Sequence, residues 1–173
     1  MKKTLAIVAL LLVSSMAFAA KPLKVKSGSA DVLKQEGVAV VKMDYSNATW
    51  EKKSSYEEFC GEEYEERVAQ SLEAIVKGFN SSTKGLTFTQ GQKEAEAQYT
   101  VTVKVQDMER KMTDIARFNI RLSGTITIVD NTTGEEICEI EINKISGGSS
   151  YVPNTRLYSC FETLGTKLAK AKL

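Results

Sequence analysis

No histidine occurs among the 173 residues, so Ser–His and Cys–His nucleophile pairs, imidazole-ligated metals and imidazole proton shuttles cannot be built from this chain. Three cysteines remain as candidates for covalent chemistry, and an odd number leaves one unpaired within a monomer. Cys138 begins a strand-like segment and Cys160 begins the helical one after it, which separates them by about 20 Å at about 3.3 Å per strand residue. Parallel helices would bring Cys60 level with Cys160, the favoured bridge. A strict meander would bring Cys60 to Cys138 instead. No bridge at all stays open as well, because all three positions suit small buried apolar side chains.

Charged side chains offer two further constellations. Glu57, Glu58, Glu62, Glu63, Glu65 and Glu66 make half of a long helical segment acidic. Calcium sites need loop carbonyls and a spaced oxygen set, and no such motif is present. Negative charge is in any case favoured near a helix N-terminus, so these acids read as a solvated face. No metal and no cofactor are expected. Lys104, Arg117 and Arg121 share the polar side of adjacent strands with Glu139 and Glu141. They are the candidate partner face, where guanidinium groups could hold a carboxylate or a sugar. The alternative is cross-strand charge pairing that keeps an exposed sheet face soluble. Tyr45 and the only tryptophan, Trp50, could stack on a sugar or serve as a lid on the core. Paired acids flanking a cleft, as glycoside hydrolysis requires, are not indicated.

The elements that position these residues follow from periodicity. Val38 to Tyr45 is a β-rich, nearly continuous apolar run, as in a strand with neighbours on both sides. Ser55 and Glu58 form a capping box that starts a helix running to Phe79, with Tyr56, Phe59, Cys60, Tyr64, Val68, Leu72 and Ile75 along one stripe. Gly61 inside it marks either a weak first turn or close packing. Leu86 to Thr89 is a short strand. Tyr99 to Met108, Ala116 to Val129 and Glu136 to Ile145 alternate apolar and polar residues, which gives each one dry and one wet face. Asp130 to Gly134 joins the last two as a hairpin, with Val129 expected opposite Glu135 and Ile126 opposite Cys138. Thr155 to Leu173 is a second amphipathic helix. The expected fold is α+β: a two-layer, mainly antiparallel sheet in the order β-α-β-β-β-β-α, with two helices on one face.

Residues 1–19 read as a signal peptide. Lys2 and Lys3 precede an apolar run from Leu5 to Val13, and Ala17-Phe18-Ala19 supplies the small-x-small cleavage pattern. Nine apolar residues are too few to cross a hydrocarbon core, which takes about 20. No later segment is apolar enough to span, and no cysteine near the cleavage point offers a lipid anchor. Residues 20–36 form an extended leader with at most a short strand or helical turn, and 37–173 a single domain. Loss of two lysines with the signal peptide takes the formal net charge from +1 to −1, which argues against nucleic acid as a partner.

The Gln98–Val101 and Ser123–Asp130 strands, the Thr133-Gly134-Glu135 turn and the Leu164–Lys170 ending resemble a group of uncharacterised secreted bacterial proteins. More distantly they are similar to the envelope α/β domains of the Tol-system propeller protein's amino-terminal part and of the curli-export lipoprotein. This resemblance implies an envelope location and a non-enzymatic role, although the chain lacks the lipoprotein's lipidated cysteine. The expectation is therefore a periplasmic or secreted, non-enzymatic accessory or binding module, its partner an envelope protein or ligand. The alternative is a small hydrolase using carboxylate, Lys or Tyr side chains.

Overall fold

A computed structural model describes residues 21–91, 94–114, 117–148 and 153–170 of the chain, with side chains outside 112–117 and 153–156. The expected signal peptide and the side chain of Arg117 lie outside this set.

The strands are β1 (Leu23–Gly28), β2 (Gly37–Asp44), β3 (Thr49–Trp50), β4 (Ser54–Ser55), β5 (Leu86–Thr89), β6 (Tyr99–Asp114), β7 (Arg117–Asp130) and β8 (Glu136–Ser146). The helices are α1 (Tyr56–Cys60), α2 (Tyr64–Asn80) and α3 (Pro153–Lys170). The main sheet runs β1-β8-β7-β6-β2-β5. β6, β7, β8 and β1 are antiparallel, as alternation predicts, whereas β2 is parallel to both β5 and β6. The fold is α+β, but its sheet is mixed, because β5 returns from α2 to the outer side of β2 instead of continuing a meander.

The leader adds β1, which pairs with β8, and a short 3-10 turn at Ala30–Lys34 that buries Val32 and Leu33. Polypeptide between Pro22 and Gln35 is thus part of the sheet edge and core rather than an appendage.

The dry face of the sheet carries Val101, Val103 and Val105 from β6, Ile126 and Ile128 from β7, and Ile140 and Ile142 from β8, all buried. Ile75 and Phe79 of α2 and Phe161, Leu164 and Leu168 of α3 cover it. Phe79 lies flat on Phe88 of β5, with centroids 3.6 Å apart. The two long helices run parallel, since Arg67 and Leu157 meet near their starts while Gly78 and Gly165 meet further on. A methyl group on Gly78 would run into the Glu162 carbonyl, and one on Gly165 into the Ile75 carbonyl. Only glycine at both positions lets the backbones approach this closely. Beside this contact Thr166 donates to the Gly78 carbonyl at 3.3 Å, and Lys77 pairs with Glu162 at 3.2 Å. At the sheet edge the Asn80 side chain donates to the Phe88 carbonyl and accepts its N–H, occupying ladder groups of β5 that a passing strand could otherwise use.

Three local departures from the expected pattern matter. First, the β7–β8 hairpin is shifted by two residues: Ile126 faces Ile140 and Ile128 faces Cys138, with a bulge before Val129 pairs with Glu136. A shift of two keeps every side chain on its expected face. Second, Gly61 breaks the long helix. Its φ of 56° ends α1, a 3-10 turn at Gly61–Glu63 follows, and α2 restarts at Tyr64. Nothing crowds Gly61, so its φ and not close packing is what requires glycine. The N-cap half of the expected capping box is present, with Ser55 Oγ accepting the Glu58 N–H at 3.0 Å. Third, a bulge in β6 between Val105 and Asp107 changes the phase of the strand, so that Met108 and Arg110 turn to the dry side.

Candidate functional site

The wet face of the sheet is built in rows of paired residues. One row runs Asp44, Lys104, Thr125, Glu141, Lys24, so acidic and basic side chains alternate with a threonine between them. Lys26 reaches Glu141 at 3.5 Å. Further along, Glu109 faces Arg121 across the β6–β7 pair at 3.6 Å and also takes Lys144 at 3.2 Å. Lys104 and Arg121 therefore share the face but lie four residues apart along β7, about 13 Å at about 3.3 Å per residue, and do not converge. Arg121 is engaged by its cross-strand neighbour Glu109, which it shares with Lys144. One end of the face is covered: Asn131 donates to the carbonyls of Glu94 and Ala97 and accepts from Thr100, Lys42 pairs with Glu94, and Val40 and Thr100 are buried there.

The cysteines are three buried free thiols. The helices run parallel, the arrangement that would favour Cys60 with Cys160, yet the bridge is not formed. Cys160 Sγ instead donates to the Leu157 carbonyl at 2.9 Å, one turn back in its own helix. Burial pushes its thiol up to about 12 and raises Cys60 and Cys138 in the same direction. Such thiols are inert at neutral pH. Tyr45 stacks on Tyr56 at 5.0 Å and packs against Phe161, so it is a core residue. Burial carries both phenols far above their ordinary value, and neither hydroxyl makes a well-formed hydrogen bond among the described residues.

Trp50 behaves differently. β3 and β4 form a tight hairpin through Glu51 and Lys52, whose φ values are 54° and 56°. Lys53 N–H closes it on the Trp50 carbonyl at 3.0 Å. Both central residues thus hold left-handed backbone conformations without being glycine, which costs of order 1–3 kcal/mol each. Three contacts to β6 enforce the turn: Glu51 N–H donates to the Met108 carbonyl at 2.8 Å, while Lys52 N–H and the Thr49 hydroxyl both donate to Asp107 Oδ1, at 3.0 and 2.6 Å. Asp107 is 9% exposed and stands in the β6 bulge.

This arrangement lays Trp50 flat on Phe59, with centroids 3.9 Å apart and planes 8° from parallel. Phe59 is 39% exposed, the one large exposed apolar side chain among the described residues. The helical stripe predicts it inward, but with the helix broken at Gly61 only Tyr56 and Cys60 of α1 turn to the core. A partly open pocket of about 290 Å³ lies beside the stack. Its apolar wall is Trp50, Phe59, Phe118, Ile120 and Leu157, and Arg67 and Arg110 complete it. Arg67 sits 5.4 Å from the Phe59 centroid, and Arg110 sits 5.9 Å from that of Trp50 and 6.0 Å from that of Phe118, all within cation–π range. Each guanidinium is also held by a glutamate: Arg67 Nε and Nη2 donate to Glu63 at 2.9 and 2.6 Å, and Arg110 Nε donates to Glu51 at 2.6 Å. The Arg110 hydrogen bond, with help from Lys53, holds the Glu51 carboxyl below its ordinary range.

Of the sequence candidates with described side chains, only Trp50 belongs to this pocket. Arg110 is hidden from sequence reading by the bulge, since strict alternation from Val105 would place it on the wet side. Arg67 is hidden by the acidic run around it. The signal that remained was the sole tryptophan beside residues with no turn-forming chemistry of their own. No group of Cys, Asp and Glu among the described residues is placed to hold a metal ion, and none of their helices is long and apolar enough to cross a membrane.

No protein-family model matches the chain, and no curated protein matches it in sequence. In backbone geometry it is similar to PelC from Paraburkholderia phytofirmans, solved as a dodecamer: 13% identity, 85% of this chain and 97% of that one, TM-score 0.45. It is also similar to a Helicobacter pylori protein proposed as a neuraminyllactose-binding hemagglutinin homolog: 10% identity, 81% of this chain and 84% of that one, TM-score 0.38.

Proposed function

We propose that the chain is a non-enzymatic binding module of the bacterial cell envelope, exported by an amino-terminal signal peptide, and that the pocket beside Trp50 is its binding site. One observation carries this reading. Among the described residues the pocket wall consists of aromatic rings, aliphatic side chains and two guanidinium groups, with no carboxylate, lysine, tyrosine or hydroxyl nucleophile. Such a wall holds and orients a molecule, and it offers no acid–base pair to transform one. The strained turn that presents Trp50 supports the same reading, since backbone strain persists where the surrounding contacts over-determine it and is concentrated at functional sites.

Native mass spectrometry of the protein isolated from a bacterial envelope tests this proposal. The expected result is a non-covalent small-molecule adduct that is released chemically unchanged and is missing from a folded Leu157→Trp variant, whose larger side chain fills the pocket. An adduct that survives in that variant, or one converted on incubation with the protein, overturns it.

A further inference from the structure

We infer that the pocket takes a small amphipathic monoanion, an apolar acyl or aryl body carrying one acidic head that seats at Arg110. This rests on the pocket being the binding site as proposed above.

Size comes first. A volume of about 290 Å³ equals about ten waters at about 30 Å³ each, so the part of the ligand held inside is no larger than a short acyl chain or one fused ring pair. Lining chemistry comes next. Among the described lining residues the Trp50 indole N–H is the one neutral hydrogen-bonding group, so most hydroxyls of a sugar would be buried without partners. An apolar body loses nothing there.

Charge sets the head group. Both cations in the wall are arginines, weakly hydrated and able to keep contact with an aromatic face while donating to an anion. The Arg110 side chain is 52% exposed and that of Arg67 only 18%, so Arg110 stands at the mouth and Arg67 further in. A head at Arg110 stays next to water while the body passes inward along Phe118 and Ile120. Glu51 and Glu63 hold the guanidiniums without lining the cavity. Two acids this close penalise a second negative charge on the ligand and favour a monoanion. Glu51 is the built-in competitor for Arg110, fixed in place by the strained turn.

The test uses decanoate and 1-naphthoate, each below its self-association concentration, beside their neutral counterparts 1-decanol and 1-naphthalenemethanol. Affinity is read by calorimetry, and location by the single indole N–H resonance that Trp50 provides. The expected result is one saturable site for at least one of the anions, a shifted Trp50 resonance, and at least tenfold tighter binding than for the neutral counterpart. Arg110→Gln should weaken the anion far more than the alcohol and so remove most of that preference, and Arg110→Lys should keep part of it. Whichever anion binds tighter identifies an acyl or an aryl source. Equal affinity for anion and alcohol overturns the monoanion inference and leaves the binding-site proposal intact. No saturable shift with any of the four, in protein with a folded spectrum, overturns the inference as well, while the binding-site proposal is judged separately by the envelope adduct.

Discussion

Asp107 Oδ1 accepts the Thr49 hydroxyl at 2.6 Å and the Lys52 N–H at 3.0 Å, so a single buried carboxylate fixes the start of the turn that carries Trp50 and its strained centre. Hydrogen bonds to a charged group contribute about 1.5–3 kcal/mol, and two are at stake. Asp107→Ala should lower the unfolding free energy by about 3 kcal/mol and shift Trp50 emission to the red, measured by urea titration with fluorescence. Lys52→Gly should act in the opposite sense, gaining about 1 kcal/mol by relieving the left-handed conformation. A destabilised glycine variant would show that the turn is not strained.

The contact between α2 and α3 makes a sharper demand. Ala is favoured over Gly in a helix by about 1 kcal/mol, so propensity alone would make Gly78→Ala and Gly165→Ala stabilising. Each new methyl would meet a backbone carbonyl that cannot rotate away. Both variants should instead lose about 2–3 kcal/mol in thermal or denaturant unfolding. Neutral effects would mean the helices can separate freely.

The Glu51–Arg110 pair predicts an acid limb. Glu51 titrates below its ordinary value of 4.5 in the folded protein, chiefly because Arg110 donates to it. Its contribution is therefore fully present above that ordinary value and is lost as pH falls through the lower folded one. The pair is near the surface, so the effect should be about 1 kcal/mol or less. Comparing urea midpoints of the wild type and Glu51→Gln from pH 7 to pH 3 should show the gap narrowing as pH falls, and a constant gap would refute it.

The buried thiols make a prediction about reactivity. With Cys160 pushed up to about 12 and all three side chains buried, iodoacetamide at pH 8 should label none of them in the native protein and all three in denaturant. Intact mass of the unreduced chain should match three free thiols. A mass two hydrogens lighter would show that one disulfide forms, and peptide mapping would tell Cys60–Cys160 from Cys60–Cys138.

Export gives the simplest measurement. The mature protein recovered from periplasm or medium should begin at Ala20, as shown by amino-terminal sequencing. A full-length chain retained in the cytoplasm would remove the envelope reading.

Much of the layered architecture was legible because a sheet with one dry face writes its period into the chain: Val101 to Val105, Phe118 to Ile128 and Cys138 to Ile142 alternate as the structure has them. The hairpin register slipped by two, yet the faces survived, since period two is blind to such a shift. What sequence could not convey was phase. One residue inserted at Gln106 turned Arg110 to the dry side, and one left-handed glycine at Gly61 turned Phe59 outward. Periodicity averages over single-residue events, and the candidate pocket is assembled at two of them. Strand order was hidden for another reason: β5 is four residues long, and nothing in Leu86 to Thr89 states which neighbour it will join.

The pairing of β1 with β8 also has a kinetic meaning. Leu23 lies opposite Ile142, so more than a hundred residues must be made before the β1 strand finds its neighbour β8 in the sheet. Closing so long a loop is entropically slow and has to wait for the β6–β8 meander to exist as a template. During synthesis the nascent amino terminus therefore stays unzipped to the end. On the export route proposed above, the machinery that threads the polypeptide across a membrane would meet a segment that has not yet been stitched down.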